Sequence, residues 1–575
     1  MTGIDGGTSG RSGRLTRALT ALAVFGATVL VLRPALDGQF LTWDDDVMLA
    51  GNPAFRGLGW PQLRWMLTTT LLGHYMPLTW MSFGVSYVVG GMDPWGYHLA
   101  SLLLHGLNAA LATCLAWRLI GAATTDLRTA PGPVGSPALL ALGAGVAGLA
   151  WGIHPLRAEP VAWATDRGDL LSGAFALTAV LAYARGVPAS GHLAWRPWGW
   201  AALGAMALAL LSKETAVVLP AALLVLDGYP LRRSDPWHRL VREKVPFLAL
   251  AAVGTVVALA ARSSGARFST AVEYGAAARV AMVGHSLWYY AWTGLVPLDL
   301  APYHEPPLRV DILVPRFLIP TLATAALTVA VVVARRRLPA ALAAWMAYAL
   351  VLLPVTGIVH SGSHLVAERY SYLPTIGFAM LLGGMAVAAA QAWRGAGRRR
   401  LAGAVALLAV TLALPTWATL AWRHSANWRD TLTMWQVSAA ADPDCRLCAV
   451  NLAAAHFNAG QAEAAERWAR RAIELWPGRG TPHHLLGAAL LVQGRDREAE
   501  AELLEAVRLA PQLGAAHREL GRLYDRQGRA GQAVAAFRQA LAAGAPVADT
   551  QALLADALRR GGGHVDGRDP PSAPR

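Results

Sequence analysis

The sequence predicts an all-α protein in two parts, a polytopic transmembrane helical domain followed by an α-solenoid of repeated helical hairpins. Hydrophobic residues make up 55% of the 575 residues, and charged residues only 15%. The hydrophobic residues fall into runs of about twenty, the length that an α-helix needs to cross the hydrocarbon core of a bilayer. In the C-terminal part, small residues recur with the spacing of repeated helix pairs.

The first apolar run is expected to be an uncleaved span. Arg11, Arg14 and Arg17 precede it, and no small-x-small cleavage site follows it before Asp37. Later runs of similar hydrophobicity bring the prediction to eleven full spans. The candidate spans lie near 15–35, 97–118, 137–153, 169–186, 197–212, 214–229, 245–262, 317–334, 338–359, 371–391 and 401–421.

The distribution of basic residues predicts the orientation of these spans. The net charge of +14 comes mainly from arginines in short loops, so it indicates membrane topology rather than a nucleic-acid partner. The clusters Arg335–Arg337, Arg398–Arg400 and 232–244 should all be cytoplasmic. All three clusters can be cytoplasmic only if the apolar helix near 279–296 does not cross the membrane, or if it enters the membrane and returns to the same side. The N-terminus is then cytoplasmic and the repeats are extracytoplasmic.

This topology places most reactive polar groups on the outer face. The outer loops hold Asp44–Asp46, His74-Tyr75, 154–169, Lys213-Glu214, 303–305 and 364–369. The cytoplasmic loops hold mainly arginine and turn residues. Ionisable groups near a membrane are costly unless they serve a purpose, so their segregation predicts a functional site that faces outward.

The acidic run Asp44–Asp46 is the strongest candidate within that site. Three adjacent carboxylates repel one another and resist desolvation, which suits proton transfer, charge stabilisation or cation binding. A divalent metal bridged by Asp44–Asp46 is one alternative, and a solvated acidic loop is another. No other cofactor is predicted.

Lys213 is a second candidate, because the chain has only two lysines, Lys213 and Lys244. A compact ammonium suits a phosphate oxygen or a buried carboxylate. The alternative is a local ion pair with the adjacent Glu214.

After Trp428 the sequence carries a 34-residue repeat typical of tetratricopeptide hairpins. Three full repeats and a capping helix near 547–560 are predicted, and such arrays bind proteins on a concave surface. The recurring residues are Gly460, Gly494, Gly528 and Gly562, with Pro477 and Pro511, Ala465, Ala499 and Ala533, and Ala472, Ala506 and Ala540. Just before the repeats, Cys445 and Cys448 could form a local disulfide, a redox site or half of a metal site.

These features predict five segments along the chain. They are a cytoplasmic N-terminus at 1–14, a membrane domain at 15–425, a linker at 426–446, tetratricopeptide repeats at 447–562 and a disordered tail at 563–575.

Several short strings resemble the tetratricopeptide-repeat O-mannosyltransferases, the cadherin-directed group of animals and their bacterial relatives within the GT-C glycosyltransferases. The resemblance follows the chain in order, and its most specific string is Glu368-Arg369-Tyr370-Ser371-Tyr372-Leu373-Pro374. The family commonly has arginine where this chain has Met76. The other matching strings are Trp43-Asp44-Asp45 with Asn52, Tyr75-x-Pro77, His154-Pro155, Glu159-x-Val161, Arg167-x-Asp169-Leu170 and Lys213-Glu214-Thr215.

The resemblance implies transfer of a hexose, expected to be mannose, from a polyprenyl-phosphate sugar to a hydroxyl acceptor, with protein Ser or Thr as the natural target. Asp44 is then expected to be the base and Asp45 its orienting or acceptor-binding partner. Arg369, Lys213, Arg167 and His154 are the expected contacts of the donor phosphate. The expected supporting residues are Asp46, Glu159, Glu214, Glu368, Tyr370 and Tyr75.

Two other functions remain open at this point. One is a lipid-linked glycan ligase or polymerase. The other is a non-enzymatic membrane anchor whose repeats bind envelope proteins. For all three, the composition favours a bacterial inner membrane, with membrane lipids around the spans.

Overall fold

The computed structural model describes residues 11–124, 136–187, 193, 195–264, 274–298, 300–358 and 364–560, which include helices and no β-strand. The predicted disordered tail lies outside these residues, as does most of the predicted cytoplasmic N-terminus. The chain divides into two compact units, Met1–Met434 and Trp435–Arg575. The all-α fold class is confirmed. The predicted limits of the linker stay a prediction.

The first unit contains fifteen complete α-helices in its described residues. They are α1 Arg11–Val31, α2 Trp60–Thr68, α3 Pro77–Gly90, α4 Pro94–Thr124, α5 Pro137–Gly152, α6 Ala158–Ala162, α7 Arg167–Gly186, α8 Trp200–Ser212, α9 Leu219–Gly228, α10 Trp237–Ser264, α11 Ala276–Thr293, α12 Pro315–Val333, α13 Pro339–Leu352, α14 Ile376–Trp393 and α15 Gly397–Ser425. Several of them begin with proline in the first turn, where the missing N–H costs no hydrogen bond.

Six helices in the described part of the chain are long and apolar enough to cross a membrane, so the protein is an integral membrane protein. A seventh candidate is a pair of helices bent by 61° at a short break, and two further apolar helices are shorter. The six are Arg11–Val31, Pro94–Thr124, Trp237–Ser263, Pro315–Arg336, Ile376–Trp393 and Gly397–Trp428; the bent pair is Pro137–Gly152 with Pro155–Ala162; the shorter two are Pro197–Ser212 and Pro339–Val355.

The predicted total of eleven spans stays a prediction. Two of the predicted spans, those of α7 and α9, correspond neither to these candidates nor to the shorter apolar helices. Helix α7 carries the charged residues Arg167, Asp169 and Arg185, and α9 has only ten residues. Helix α11, the segment whose crossing was left open, is not among the candidates either.

The centre of the first unit is held together by buried polar contacts between helices that are far apart in sequence. The Tyr372 hydroxyl lies 2.8 Å from His105 Nδ1 on α4 and accepts a hydrogen bond from Asn108 on the same helix at 2.8 Å. The Tyr372 carbonyl accepts from the Trp151 indole of α5, also at 2.8 Å. These contacts fix the segment that follows Arg369 against α4 and α5.

Lys244 lies in a separate buried ion cluster near the start of α10. Its ammonium donates to Asp227 at 2.5 Å, and Tyr183 donates to the same carboxylate at 2.6 Å. Arg233 donates to both oxygens of Glu243. Each charge has an opposite partner, which makes this cluster a structural tie between α7, α9 and α10.

The second unit contains three helix pairs and a seventh helix, α23 Val547–Arg560. The pairs are α17 Arg446–Asn458 with α18 Ala462–Leu475, α19 Gly480–Val492 with α20 Asp496–Leu509, and α21 Gly514–Arg526 with α22 Ala530–Ala542. Helix α16, Thr431–Ala441, spans the boundary between the units.

The repeating residues take the positions that the sequence predicts. Gly460, Gly494 and Gly528 have φ of 72°, 77° and 74°, the left-handed conformation that glycine adopts without strain at the turn within a hairpin. The recurring alanines are fully buried where paired helices meet; they are Ala465, Ala499, Ala533, Ala472, Ala506 and Ala540. The tetratricopeptide prediction is therefore confirmed.

Cys445 and Cys448 form a disulfide at the start of α17. The sequence left a local disulfide, a redox site and half of a metal site open for this pair, and the structure shows the local disulfide. The Cys448 N–H also donates to Cys445 Sγ at 3.1 Å, so the pair closes the first turn of the helix.

Candidate active site

The site begins at Asp44, whose backbone is unusual. Its φ is 68°, a left-handed conformation that a residue with a side chain adopts only when its surroundings impose it. Two contacts fix this turn: the Asp44 carbonyl accepts from the Met48 N–H at 2.7 Å, and the Trp163 indole donates to the Trp43 carbonyl at 3.0 Å. Strained residues held this way are common at functional sites.

The Asp44 carboxylate is exposed to solvent, yet it lies among other charges. Surrounding protein atoms raise the pKa of Asp44 above 3.8, the nearby Arg369 lowers it, and Asp46 raises it again. The net direction is upward. A carboxylate that is open to solvent and more basic than usual is suited to accept a proton.

Asp45 has the opposite environment, because its side chain is fully buried. Oδ2 accepts from the Leu41 N–H at 2.9 Å, and Oδ1 accepts from the Thr165 N–H at 3.0 Å. Burial raises the pKa of Asp45 to about 7. Both oxygens accept hydrogen bonds from backbone N–H groups, so the buried Asp45 side chain fixes the loop of Asp44 against the 164–166 turn.

Asp46 is exposed and begins a short π-helical turn, Asp46–Ala50. Among the described residues, no group of three or more His, Cys, Asp and Glu side chains could hold a metal ion. A metal at Asp44–Asp46 therefore gains no support, since Asp45 is turned inward and bound to backbone.

Glu159 and Arg369 form the ion pair at the centre of the site. Glu159 is fully buried on α6. The Arg369 guanidinium donates to Glu159 Oε1, and the Arg369 N–H donates to Oε2 at 2.9 Å. The guanidinium also contacts the rings of Trp163 and Tyr370, at 5.2 and 4.9 Å from their centroids. Arg369 is thus fixed within reach of the charge of Asp44.

Lys213 lies between two carboxylates at the start of α7. Its Nζ donates to Asp166 Oδ1 at 2.9 Å and to Asp169 Oδ2 at 2.6 Å. Gly168 permits this close packing, because a Cβ there would lie 3.6 Å from the Lys213 side chain and 3.3 Å from the Ser212 carbonyl. The structure therefore gives Lys213 buried carboxylate partners, one of the two roles that suit its ammonium.

Glu214 has partners other than its neighbour Lys213. Its Oε1 lies 2.9 Å from His74 Nδ1 and 3.6 Å from an Arg262 nitrogen. Burial alone would raise the pKa of Glu214, but the contact with His74, with a smaller effect of the Lys213 charge, lowers it to about 2. His74 also lies close enough to Asp44 for a charge on its ring to lower the Asp44 pKa. The predicted local pair of Lys213 with Glu214 is replaced by this His74–Glu214–Arg262 cluster.

Two of the four residues that were expected to contact the donor phosphate, Arg167 and His154, have other partners. The buried Arg167 side chain donates to Ser101, Ser86 and the carbonyls of residues 82 and 97, which leaves one of its five N–H groups for other partners. His154 is buried, and its Nδ1 accepts from the Leu156 N–H at 3.2 Å. Both side chains hold helices and turns in place, which argues against direct contact with a donor.

The other supporting candidates occupy the edges of the site. Glu368 is buried and lies 2.6 Å from His424 on α15, which anchors the turn that carries Arg369. Tyr370 contacts the Arg369 guanidinium, and the Tyr75 hydroxyl donates to the Leu67 carbonyl at 3.1 Å.

The structure thus brings together Asp44, Glu159, Lys213, Glu214 and Arg369 and adds groups that sequence reasoning missed. Arg262 lies outside the loops that were assigned to the site, whereas His74, Trp163 and Asp166 lie in those loops but were given no role. Asp166 precedes Asp169 by three residues at the start of α7, a spacing that places both carboxylates on one side of the chain and could have been noticed. Arg262 gave no such signal, because it lies at the end of a predicted span.

Comparison with known proteins identifies relatives of both parts of the chain. Residues 519–543 match the family model described as tetratricopeptide repeat. Protein O-mannosyl-transferase tmtc2 of Xenopus laevis is 32% identical over 168 residues, 28% of this chain and 18% of the relative. Tmtc2 of Drosophila melanogaster is 36% identical over 170 residues, 28% of this chain and 15% of the relative. TMTC2 of Homo sapiens is 31% identical over 173 residues, with the same shares as the Xenopus protein.

These relatives confirm the resemblance in the N-terminal part of the chain. The match spans less than a fifth of the length of each of these relatives. Two solved structures also align: the MamA protein, 18% identical over 24% of this chain and 76% of that chain, and the APC/C hetero-tetramer Cut9-Hcn1, 14% identical over 89% and 91%. Their TM-scores are 0.22 and 0.23.

Proposed function

We propose that this chain, a relative of the protein O-mannosyl-transferases in its N-terminal part, is a membrane glycosyltransferase of the GT-C class. It moves a hexose, mannose by resemblance, from a polyprenyl-phosphate sugar to a Ser or Thr hydroxyl of a protein. The reaction takes place on the extracytoplasmic face, in a bacterial inner membrane. The tetratricopeptide repeats select the protein acceptor.

The observation that carries this proposal is the contrast between Asp44 and Asp45. One carboxylate is open to solvent in a fixed, left-handed turn, and the next is buried and holds that turn in place. A base that must meet a hydroxyl at a defined position needs this arrangement, because a small displacement of a catalytic group costs much of its effect.

The proposed reaction uses Asp44 as the general base. Its carboxylate takes the proton of the acceptor hydroxyl while the hydroxyl oxygen forms a bond to the anomeric carbon of the sugar. The bond between that carbon and the phosphate oxygen breaks, and the polyprenyl phosphate leaves with the electron pair. Positive charge that develops on the sugar ring is stabilised by the nearby carboxylate.

The leaving phosphate needs positive charge nearby. Arg369 provides it, since among the nearby charges it acts most strongly on Asp44. Its contacts with Glu159, Trp163 and Tyr370 hold the guanidinium in one position. Lys213 contributes at longer range, since Asp166 and Asp169 already neutralise it.

The disulfide supports the proposed location of the repeats. Disulfides persist in oxidising compartments such as the bacterial periplasm and are rare in the cytoplasm. The Cys445–Cys448 bond at the start of α17 therefore agrees with repeats on the extracytoplasmic side.

Transfer by the purified full-length protein tests the proposal. With a polyprenyl-phosphate mannose donor and a Ser/Thr-containing acceptor protein, Asp44→Asn should lower transfer by at least about a hundredfold, the usual contribution of a general base. Asp311→Asn is the matched control, because Asp311 is exposed and its carboxylate accepts from the nearby Leu313 N–H at 2.9 Å. Full activity of Asp44→Asn would refute the proposal, and transfer only from a diphosphate-linked oligosaccharide would favour a glycan ligase.

A further inference from the structure

The first helices of the three repeat pairs line the concave side of the repeat unit. Helix α17 contacts α19, and α19 contacts α21, whereas the second helices of successive pairs make slight contact at most. A stack whose first helices lie closer together than its second helices curves toward the first helices. The exposed sides of α17, α19 and α21 therefore form the concave binding surface that repeat arrays present.

The orientation of α21 places two arginines on this concave side. Gly521 faces the second helix of its pair, because a Cβ there would lie 2.5 Å from the Phe537 ring of α22. Leu520 is buried on another side of the helix. Arg518 and Arg522, one turn apart, lie on the remaining side, with 21% and 45% of their side chains exposed.

The corresponding residues of the first two repeats carry no charge near pH 7. Residues 34 positions apart occupy equivalent places in successive repeats, so they lie in rows across the three first helices. Two such rows, which we call the inner surface, are Val450, His484 and Arg518, and Ala454, Ala488 and Arg522. Burial lowers the pKa of His484 to about 4, so its ring is neutral near pH 7. Positive charge on the inner surface is therefore confined to the third repeat.

The two arginines share one carboxylate. Arg518 Nε donates to Glu519 Oε1 at 3.4 Å, and Arg522 Nη1 donates to the same oxygen at 3.0 Å. Only 6% of the Glu519 side chain is exposed, so its negative charge lies beneath the two guanidinium groups. One carboxylate cannot neutralise two guanidinium groups, and this part of the inner surface presents a net positive charge to solvent.

The other charges of α21 have partners on neighbouring helices. Asp525 pairs with Arg560 of α23, and Arg526 pairs with Asp496 of α20. Across the three repeat pairs, the first helices carry four arginines and two carboxylates, and the second helices carry eight carboxylates and six arginines. Positive charge is thus concentrated in the layer that lines the concave side, which favours a partner that carries carboxylates.

We propose that the inner surface binds an extended acidic segment of the acceptor protein, with its carboxylates at Arg518 and Arg522 and its backbone across Ala454 and Ala488. Each of these arginines uses one nitrogen to bind Glu519, and a guanidinium can bind a further carboxylate through its other N–H groups. The short alanine side chains leave space for a peptide backbone. This inference rests on the proposed role of the repeats in selecting the acceptor, and it names the chemistry that they recognise.

Binding of two peptides to the full-length protein tests the inference. Both peptides carry a fluorescein label and have the same sequence, except that one has aspartates where the other has asparagines. Fluorescence anisotropy, with the protein in nanodiscs of zwitterionic phosphatidylcholine, should show tighter binding of the aspartate peptide. Arg522→Gln should weaken that binding about fivefold, the effect of one exposed ion pair, and should leave binding of the asparagine peptide unchanged.

Glu519→Gln tests the same surface in the opposite direction. The amide keeps an oxygen that can accept from the arginines, but the charge that competes with the peptide is gone. Binding of the aspartate peptide should therefore tighten by a similar factor, a gain that a purely structural role of Glu519 does not predict. Arg538→Gln is the matched control, because Arg538 is an exposed arginine on α22, the second helix of the same pair, and its loss should change neither affinity.

Three outcomes would overturn the inference. They are equal binding of the two peptides by the wild type, a loss in Arg538→Gln as large as that in Arg522→Gln, and unchanged or weaker binding of the aspartate peptide in Glu519→Gln. These measurements contain no donor lipid, so they give a result whether or not the protein transfers a sugar. A failure of the proposed reaction therefore remains distinguishable from a failure of this binding surface.

Discussion

Arg369 binds one carboxylate through two different groups, because its backbone N–H donates to Glu159 Oε2 and its guanidinium donates to Glu159 Oε1. Glu159 is fully buried on α6, and Arg369 lies 210 residues later in the chain. The Glu159 side chain thus sets both the path of the 368–371 turn and the position of Arg369, the cation that acts most strongly on Asp44.

Replacing Glu159 should therefore lower the stability of the folded protein. Glu159→Ala leaves the Arg369 guanidinium buried without its carboxylate, a change that typically costs about 3–5 kcal/mol of unfolding free energy. Thermal unfolding of the detergent-solubilised protein measures this loss. Glu159→Gln keeps an oxygen for the Arg369 N–H and should cost less. Equal unfolding temperatures for wild type and Glu159→Ala would show that the pair does not stabilise the fold.

Asp45 predicts a dependence of stability on pH. Burial raises the pKa of its carboxyl from 3.8 to about 7 in the folded protein. Between these values the folded protein holds a proton that the unfolded chain has released, so stability falls as the pH rises from about 4 to 7. The shift corresponds to roughly 4 kcal/mol across this window.

Asp45→Asn should remove that part of the pH dependence, because an amide does not titrate. With unfolding temperatures measured at intervals from pH 4 to pH 8, that of the wild type should fall relative to that of the variant as the pH rises. Asp311→Asn serves as the control and should follow the wild-type curve. Parallel curves for wild type and Asp45→Asn would contradict the assignment.

Variants of Lys213 can separate two roles of this residue, stabilisation of the fold and binding of the donor phosphate. Lys213→Gln removes the charge that separates Asp166 from Asp169, and it should lower the unfolding free energy by about 3 kcal/mol. Combining it with Asp169→Asn relieves the repulsion between the two carboxylates and should restore much of this loss. If Lys213 also binds the donor phosphate, the stable double variant will still show a raised KM for the donor. An unchanged KM would limit Lys213 to its structural role.

The sequence predicted the helices and the repeats well, because both depend on periodic patterns within short stretches. Gly460 and Ala465, for example, were recognisable from their recurrence at a fixed interval. The partners of individual charges were harder to predict. Arg167 looked like a phosphate contact, but it donates to Ser86, 81 residues away, and to the carbonyl of Tyr97. Such contacts depend on how α3 and α4 pack, and no local pattern reports that packing.

The same limit applies to Lys213. The adjacent Glu214 was the obvious partner, yet the chain extends at Lys213, with φ of −160° and ψ of 141°. The ammonium binds Asp166 and Asp169 on α7 and the turn before it, and Glu214 binds His74 and Arg262. Neighbours in an extended segment point to opposite sides, so sequence proximity does not imply an ion pair there.

The disulfide gives a prediction about the repeat unit that does not depend on catalysis. Cys445 and Cys448 are both buried at the start of α17, and their bond closes its first turn. In protein purified from an oxidising compartment, neither thiol should react with a maleimide until a reductant and a denaturant are added. The Cys445→Ser/Cys448→Ser double variant should lower the unfolding temperature of the repeat unit, since the unfolded chain loses a constraint. Cys114→Ser is the matched control, because Cys114 is a free thiol on α4 and its removal leaves the repeat unit intact. Labelling of all three cysteines in denatured but unreduced protein would place α17 in a reducing compartment and contradict the extracytoplasmic orientation of the repeats.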